Sequence, residues 1–159
     1  MKIAKNFTLE EFLKSDTADQ HNITNDIDDL QHLVNLTALT NTILQPTRDH
    51  FKQYLIITSG YRNNQVNRLV SGSQTSQHRT GQAVDFYVKD KKSKDVVMYI
   101  AANYDFDQMI YYTATGHIHL SYTFDSNRKQ LMINRDGKLE TYNINHFSFQ
   151  KFEIKNKPH

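Results

Sequence analysis

The apolar residues of this chain follow two periods. Ile27, Leu30, Leu33, Val34, Leu36, Leu39, Ile43 and Leu44 recur mostly at three- and four-residue spacing, the repeat of one helical face. Asn25 is the expected cap of this helix, and Asp26, Asp28 and Asp29 sit where the helix dipole favours anions. Pro46 should kink or restart it, with Arg48, Phe51 and Tyr54 continuing the face. Thr8-Leu9-Glu10-Glu11 has the form of a capping box and predicts a short helix that Ser15-Asp16 ends. One or two helical turns are expected over 64–70. Another helix is expected over 95–104, with Val96, Val97, Ile100 and Ala101 on its core face. Elsewhere the period is two. Residues 55–59, 83–88, 106–112 and 117–121 read as strands, the last two as a hairpin. Residues 129–134 and 139–142 flank Asp136-Gly137, the turn signal of another hairpin.

The alternation sorts chemistry from core. In 83–88, Asp85 shares a face with Ala83 and Tyr87, while Val84, Phe86 and Val88 share the other. His117 and His119 point to one face, and Ile118 and Leu120 to the opposite one. His78 lies seven residues before Asp85, with Gly81 permitting a turn between them. Two imidazoles and a carboxylate, with one position left open, form the ligand set of catalytic zinc. His32 and His50 lie on the long helical stretch and are read as surface or packing residues.

The order S-x-H-x6-D…H-x-H, carried by Ser76, His78, Asp85, His117 and His119, resembles the zinc D-Ala-D-Ala carboxypeptidase family. That family includes endolysin-type wall peptidases, and the zinc centre of the hedgehog signalling domain is similar. The likeness runs from about Asn6 to Asn127 and includes Ile57-Thr58-Ser59-Gly60-Tyr61-Arg62 and Phe106-Asp107-Gln108-Met109-Ile110. It implies zinc held by His78, Asp85 and His119. It implies that Arg62 holds a substrate carboxylate or carbonyl oxygen, that Ser76 contacts substrate, and that His117 donates a hydrogen bond to the oxyanion. It also implies an α+β fold of the hedgehog/DD-peptidase type: helices packed on an antiparallel sheet, zinc on the opposite face, with a C-terminal hairpin added. The expected organisation is one domain over 1–159: a peptidase-like core at 6–127, a hairpin at 128–147 and a polar tail at 148–159.

One departure stands out. The resembling family places a glutamate just before the last zinc histidine, and here that position falls on Tyr112, or on Thr113 if the turn is counted from His119. Neither side chain is a base near neutral pH. No glutamate occurs between Glu11 and Glu140. Asp107 is the nearest carboxylate, but on a regular strand it faces away from Tyr112. The primary expectation is a zinc peptidase cleaving peptidoglycan peptide stems, in the manner of an endolysin or virion hydrolase. The alternative is a weakly active or non-catalytic zinc module of the same fold with a structural or wall-binding role.

Composition narrows the rest. Absence of cysteine excludes disulfides, thiolate metal sites and a cysteine nucleophile. The net charge of +2 is too small to imply nucleic acid, and no stretch is apolar enough to span a membrane. Residues 1–50 carry four Lys/Arg against eight Asp/Glu, and the remainder fifteen against nine. The basic second part suits an anionic polymer such as cell wall. The start, Met1-Lys2-Ile3-Ala4-Lys5, does not resemble a secretory signal. The expectation is synthesis in the cytoplasm and action on the wall after lysis or from a virion, with other phage or virion proteins as partners.

Overall fold

The computed structural model describes residues 1–142 of the 159. The predicted tail at 148–159 and the end of the 128–147 segment lie outside the described residues. Two short strands open the chain, β1 (Lys2–Ala4) and β2 (Phe7–Thr8), paired antiparallel. They are too short to show a period of two. Thr8 then starts α1 (Leu9–Leu13), its backbone N–H donating to Glu11 Oε1 at 2.8 Å. Ser15 follows α1, but it also starts α2 (Asp16–Gln20), accepting the Ala18 N–H on its hydroxyl at 3.2 Å. Only Ala18 of α2 is buried, so no apolar repeat announced this helix.

The long helical stretch is divided differently from its apolar pattern. α3 (Leu30–Leu39) begins at Asp29, whose carboxylate accepts the Gln31 N–H at 2.8 Å. Asn25 is not the cap. Its buried amide donates to the Leu13 and Tyr61 carbonyls at 3.0 and 2.7 Å, and accepts the Asn63 N–H at 2.9 Å. A cross-chain tie thus replaces the expected local one. A π-helical turn, Thr40–Leu44, leads into α4 (Gln45–Phe51), with Pro46 in the first turn of α4. Pro46 has no N–H to give, and its ring would press on a carbonyl four residues back in a regular helix. The wider turn absorbs that misfit.

The remaining elements are β3 (Leu55–Ser59), α5 (Asn64–Leu69), a 3₁₀ turn (Gln77–Thr80), β4 (Ala83–Val88), α6 (Ser93–Asn103), β5 (Gln108–Tyr112), β6 (Ile118–Ser121), β7 (Gln130–Arg135) and β8 (Lys138–Tyr142). Six of these strands form one sheet in the order β3-β4-β6-β5-β7-β8. Its pairs are antiparallel except β5–β7, which run parallel. The sheet is therefore mixed rather than wholly antiparallel. After β6 the chain passes β5 and returns on its far side, fixed by Lys129 N–H to Phe106 O at 2.9 Å and Gln130 N–H to Asp107 O at 3.0 Å.

One face of the sheet carries the core. Val84, Phe86, Met109, Ile118, Leu120 and Leu131 pack there against Leu36, Leu39 and Ile43 and against Val96 and Ile100 of α6, all buried. Each such side chain removed from water stabilises the fold by roughly 1.5–3 kcal/mol. Asp85 and His119 alternate with these residues and so stand on the opposite face. His50 stacks on Tyr99, ring centroids 3.8 Å apart, which makes it a packing residue.

Candidate metal centre

Three elements bring three side chains to one point. β4 and β6 pair so that Asp85 lies directly opposite His119. His119 Nδ1 is 2.8 Å from Asp85 Oδ1. The 3₁₀ turn sets the buried His78 over them, with Nε2 3.5 Å from Asp85 Oδ2. Gly81 closes that turn at φ +71, and a Cβ there would come within 2.2 Å of the His32 carbonyl oxygen. No other residue type fits both the conformation and the space. His78 Nδ1 lies 2.8 Å from the Gly60 carbonyl. That oxygen can only accept, so Nδ1 carries the proton and Nε2 presents its lone pair towards Asp85.

Among the described residues, His78, Asp85 and His119 are the group able to hold a metal ion, their ligand atoms all within 4.8 Å of one another. N and O ligands at about 2.0–2.1 Å from tetrahedral zinc lie about 3.4 Å apart. The separations of 2.8 and 3.5 Å from Asp85 to the two imidazoles bracket that figure. Donor chemistry and spacing therefore fit zinc, with one position free. Burial pushes the Asp85 carboxyl up, but the adjacent His119 and His78 imidazoles outweigh it and hold the group well below the usual carboxylate range. It is ionised, as a ligand must be.

Around this centre stand Arg62, His117 and Tyr112. Arg62 ties its backbone N–H to the His78 carbonyl at 3.1 Å. Its Nε is buried with no partner, and burial lowers the guanidinium pKa while Asp85 draws it back up. The Tyr112 and His117 rings stack, centroids 4.2 Å apart and 12° from parallel. Burial pushes the Tyr112 phenol up, with Asp85 adding to it, so it is no base at neutral pH. Burial lowers the His117 pKa, against a smaller pull upward from Asp85, which favours the neutral imidazole. His117 Nδ1 is hydrogen-bonded to Thr115 Oγ1.

Other predicted site residues lie further out. Thr113 turns away, its hydroxyl donating to the Asn134 carbonyl at 3.1 Å. Ser76 precedes the 3₁₀ turn without a side-chain cap bond and lines a separate cleft with Asp28, His32 and Tyr61. Asp107 is buried and is not part of the candidate metal group. Its Oδ1 accepts from Arg128 N and Nε, both at 3.0 Å, and its Oδ2 from Arg128 Nη2 and Gln77 Nε2, both at 2.9 Å. Glu140 sits on β8, three strands from β6, paired with Arg135 at 3.7 Å. Pattern reading missed Gly60, Gln77 and Thr115. The first acts through its backbone, which no side-chain motif reports; the other two are neighbours of His78 and His117 in the sequence.

A carboxylate and two histidines on one face of an α+β sheet form a candidate metal centre of the kind that zinc hydrolases use. The family model described as Peptidase M15 matches residues 5–121. The chain belongs to the M15 peptidase family, and the match covers the three candidate ligands, Arg62, Tyr112 and His117. No curated protein matches it.

Proposed function

We propose that this protein is a zinc-dependent peptidase acting on the peptide stems of bacterial cell wall, in the manner of a phage endolysin or virion hydrolase. One observation carries the reading: His78 Nε2, Asp85 and His119 Nδ1 converge with His78 already oriented by the Gly60 carbonyl. Zinc bound there would acidify a water molecule and polarise a peptide carbonyl. The chain's own residues do the rest. Arg62 offers fixed guanidinium donors to a substrate carboxylate or carbonyl oxygen. His117 Nδ1 is tied to the Thr115 hydroxyl, and in the tautomer with the proton on Nε2 the ring would serve as a donor to negative charge developing on that oxygen. The substrate class rests on the family resemblance and the basic balance of residues 51–159.

The second reading, a zinc module with little or no turnover, is favoured by Tyr112. A phenol with a raised pKa is, with Thr113, one of the two side chains at the position where the resembling family keeps a carboxylate. General-base catalysis is typically worth ~10²–10⁴-fold, so its loss would leave a slow enzyme or none. Incubating zinc-loaded protein with peptidoglycan, with and without chelator, separates the two. Chelator-sensitive release of new peptide termini supports the peptidase. Full zinc occupancy without release supports the module.

A further inference from the structure

The strand registers align the metal centre with residues beyond the matched stretch. Asp85 pairs with His119, His119 with Ile110, Ile110 with Met132, and Met132 with Thr141. Directly paired residues share a face, so these five form one row on the metal side of the sheet. A second row runs beside it: His117 stacks on Tyr112, Tyr112 pairs with Asn134, and Asn134 with Leu139. The two rows lead away from the ligands across β5, β7 and β8. Of their apolar members Ile110 is buried, Tyr112 and Met132 are half-buried, and Leu139 is 52% exposed. Leu139 is out of keeping with a hairpin that only needed a wetted outer face. Gln108 and Gln130, joined by a 2.7 Å amide hydrogen bond, border the rows on one side.

We infer that β7 and β8 extend the metal face into a platform that binds the substrate peptide beyond its reacting bond. This deepens the peptidase reading and rests on it for the nature of the occupant. Strands lie about 4.8 Å apart, so Met132 stands roughly 10 Å from His119 and Leu139 roughly 14 Å. An extended peptide advances about 3.3 Å per residue. Met132 therefore meets roughly the third residue from the metal and Leu139 roughly the fourth. The hairpin is fixed before any ligand arrives. Leu131 is buried in the core, Asp107 clamps Arg128, and Asn134 O accepts from both Thr113 N and Oγ1 at 3.1 Å. A preformed surface spares a ligand the cost of ordering it. Asp136 and Gly137 both have positive φ, the two-residue turn whose twist matches the flanking strands.

The test uses the zinc-loaded full chain and two probes: the dipeptide D-Ala-D-Ala and the pentapeptide L-Ala-D-Glu-L-Lys-D-Ala-D-Ala. Selectivity is the ratio of kcat/KM values where D-alanine is released, and the ratio of Kd values by calorimetry where it is not. The wild type should favour the pentapeptide. Leu139→Asp, at an exposed site, and Met132→Gln should each reduce that preference by about tenfold, the scale of one lost aliphatic contact. Equal selectivity in wild type and both variants overturns the platform, as does a wild type that does not prefer the longer peptide. Loss of preference in the variants with no new termini released from either probe upholds the platform and sinks the peptidase reading. Chelator-sensitive release with selectivity untouched by either variant does the reverse.

Discussion

His78 Nδ1 lies 2.8 Å from the carbonyl oxygen of Gly60, and this contact decides which nitrogen of His78 faces Asp85. Gly60 itself is wedged against α1: a Cβ there would fall 2.4 Å from the Phe12 carbonyl oxygen. Gly60→Ala should displace the end of β3 and turn its carbonyl. Zinc affinity is expected to drop about 10–100-fold, the usual effect of losing a ligand's orienting partner. Competition against a chromophoric chelator measures it, with circular dichroism verifying that the variant still folds. An affinity equal to that of the wild type would remove Gly60 from any role in the site.

Zinc should stabilise the folded chain, because the three ligands come from elements far apart in sequence. At a hundredfold excess over Kd the gain is about 2.7 kcal/mol. A thermal melt with and without zinc should show this as a rise in Tm. Asp85→Asn and His119→Ala should abolish the rise. A variant that retains it would indicate that the metal binds elsewhere.

Tyr112 occupies the metal face beside His117 and brings no base. Tyr112→Glu places a carboxylate there. If the parent chain is slow for want of a base, hydrolysis should increase by roughly 10²-fold or more, with an acid limb appearing in the pH–rate profile. A fall in rate from a measurably active parent would mean that the protein uses Tyr112 or has recruited another group.

Arg128 satisfies a buried carboxylate. Arg128→Ala leaves Asp107 with Gln77 as its remaining side-chain partner and should cost about 1–3 kcal/mol of stability at neutral pH. Burial pushes the Asp107 carboxyl up, but Arg128 outweighs it and holds the group below its ordinary value. A depressed pKa contributes stability that is present above the unfolded value of about 3.9 and is lost as pH falls through the folded one. The gap between wild type and variant in urea melts should thus be full at pH 7 and narrow below about pH 4. A gap constant down to pH 2 would contradict the assignment.

The site was legible where chemistry obeyed a strand's period. Asp85 and His119 could be placed on one face from alternation alone, and Gly81 announced the turn that brings in His78. The fold resisted where a non-local contact won. Asn25 has the composition of a helix cap, yet three distant backbone groups claim its amide and Asp29 caps instead. Lys14 closes one helix and Ser15 starts another, and the second buries too little to leave an apolar repeat. The hairpin around Asp136-Gly137 was evident, but nothing local in 129–134 states that β7 runs parallel to β5. That choice is made by Asp107, Phe106 and Leu131 after the chain has returned.

The parallel pairing of β7 with β5 also bears on where the molecule can be divided. The family likeness stops at residue 121, at the end of β6. A truncation there would strip β5 of its outer neighbour and leave a free strand edge carrying Met109, Ile110 and Tyr111. Such an edge recruits other chains. A shortened form of this protein should therefore retain the hairpin, because the stretch that inheritance recognises ends before the strand that closes its sheet edge.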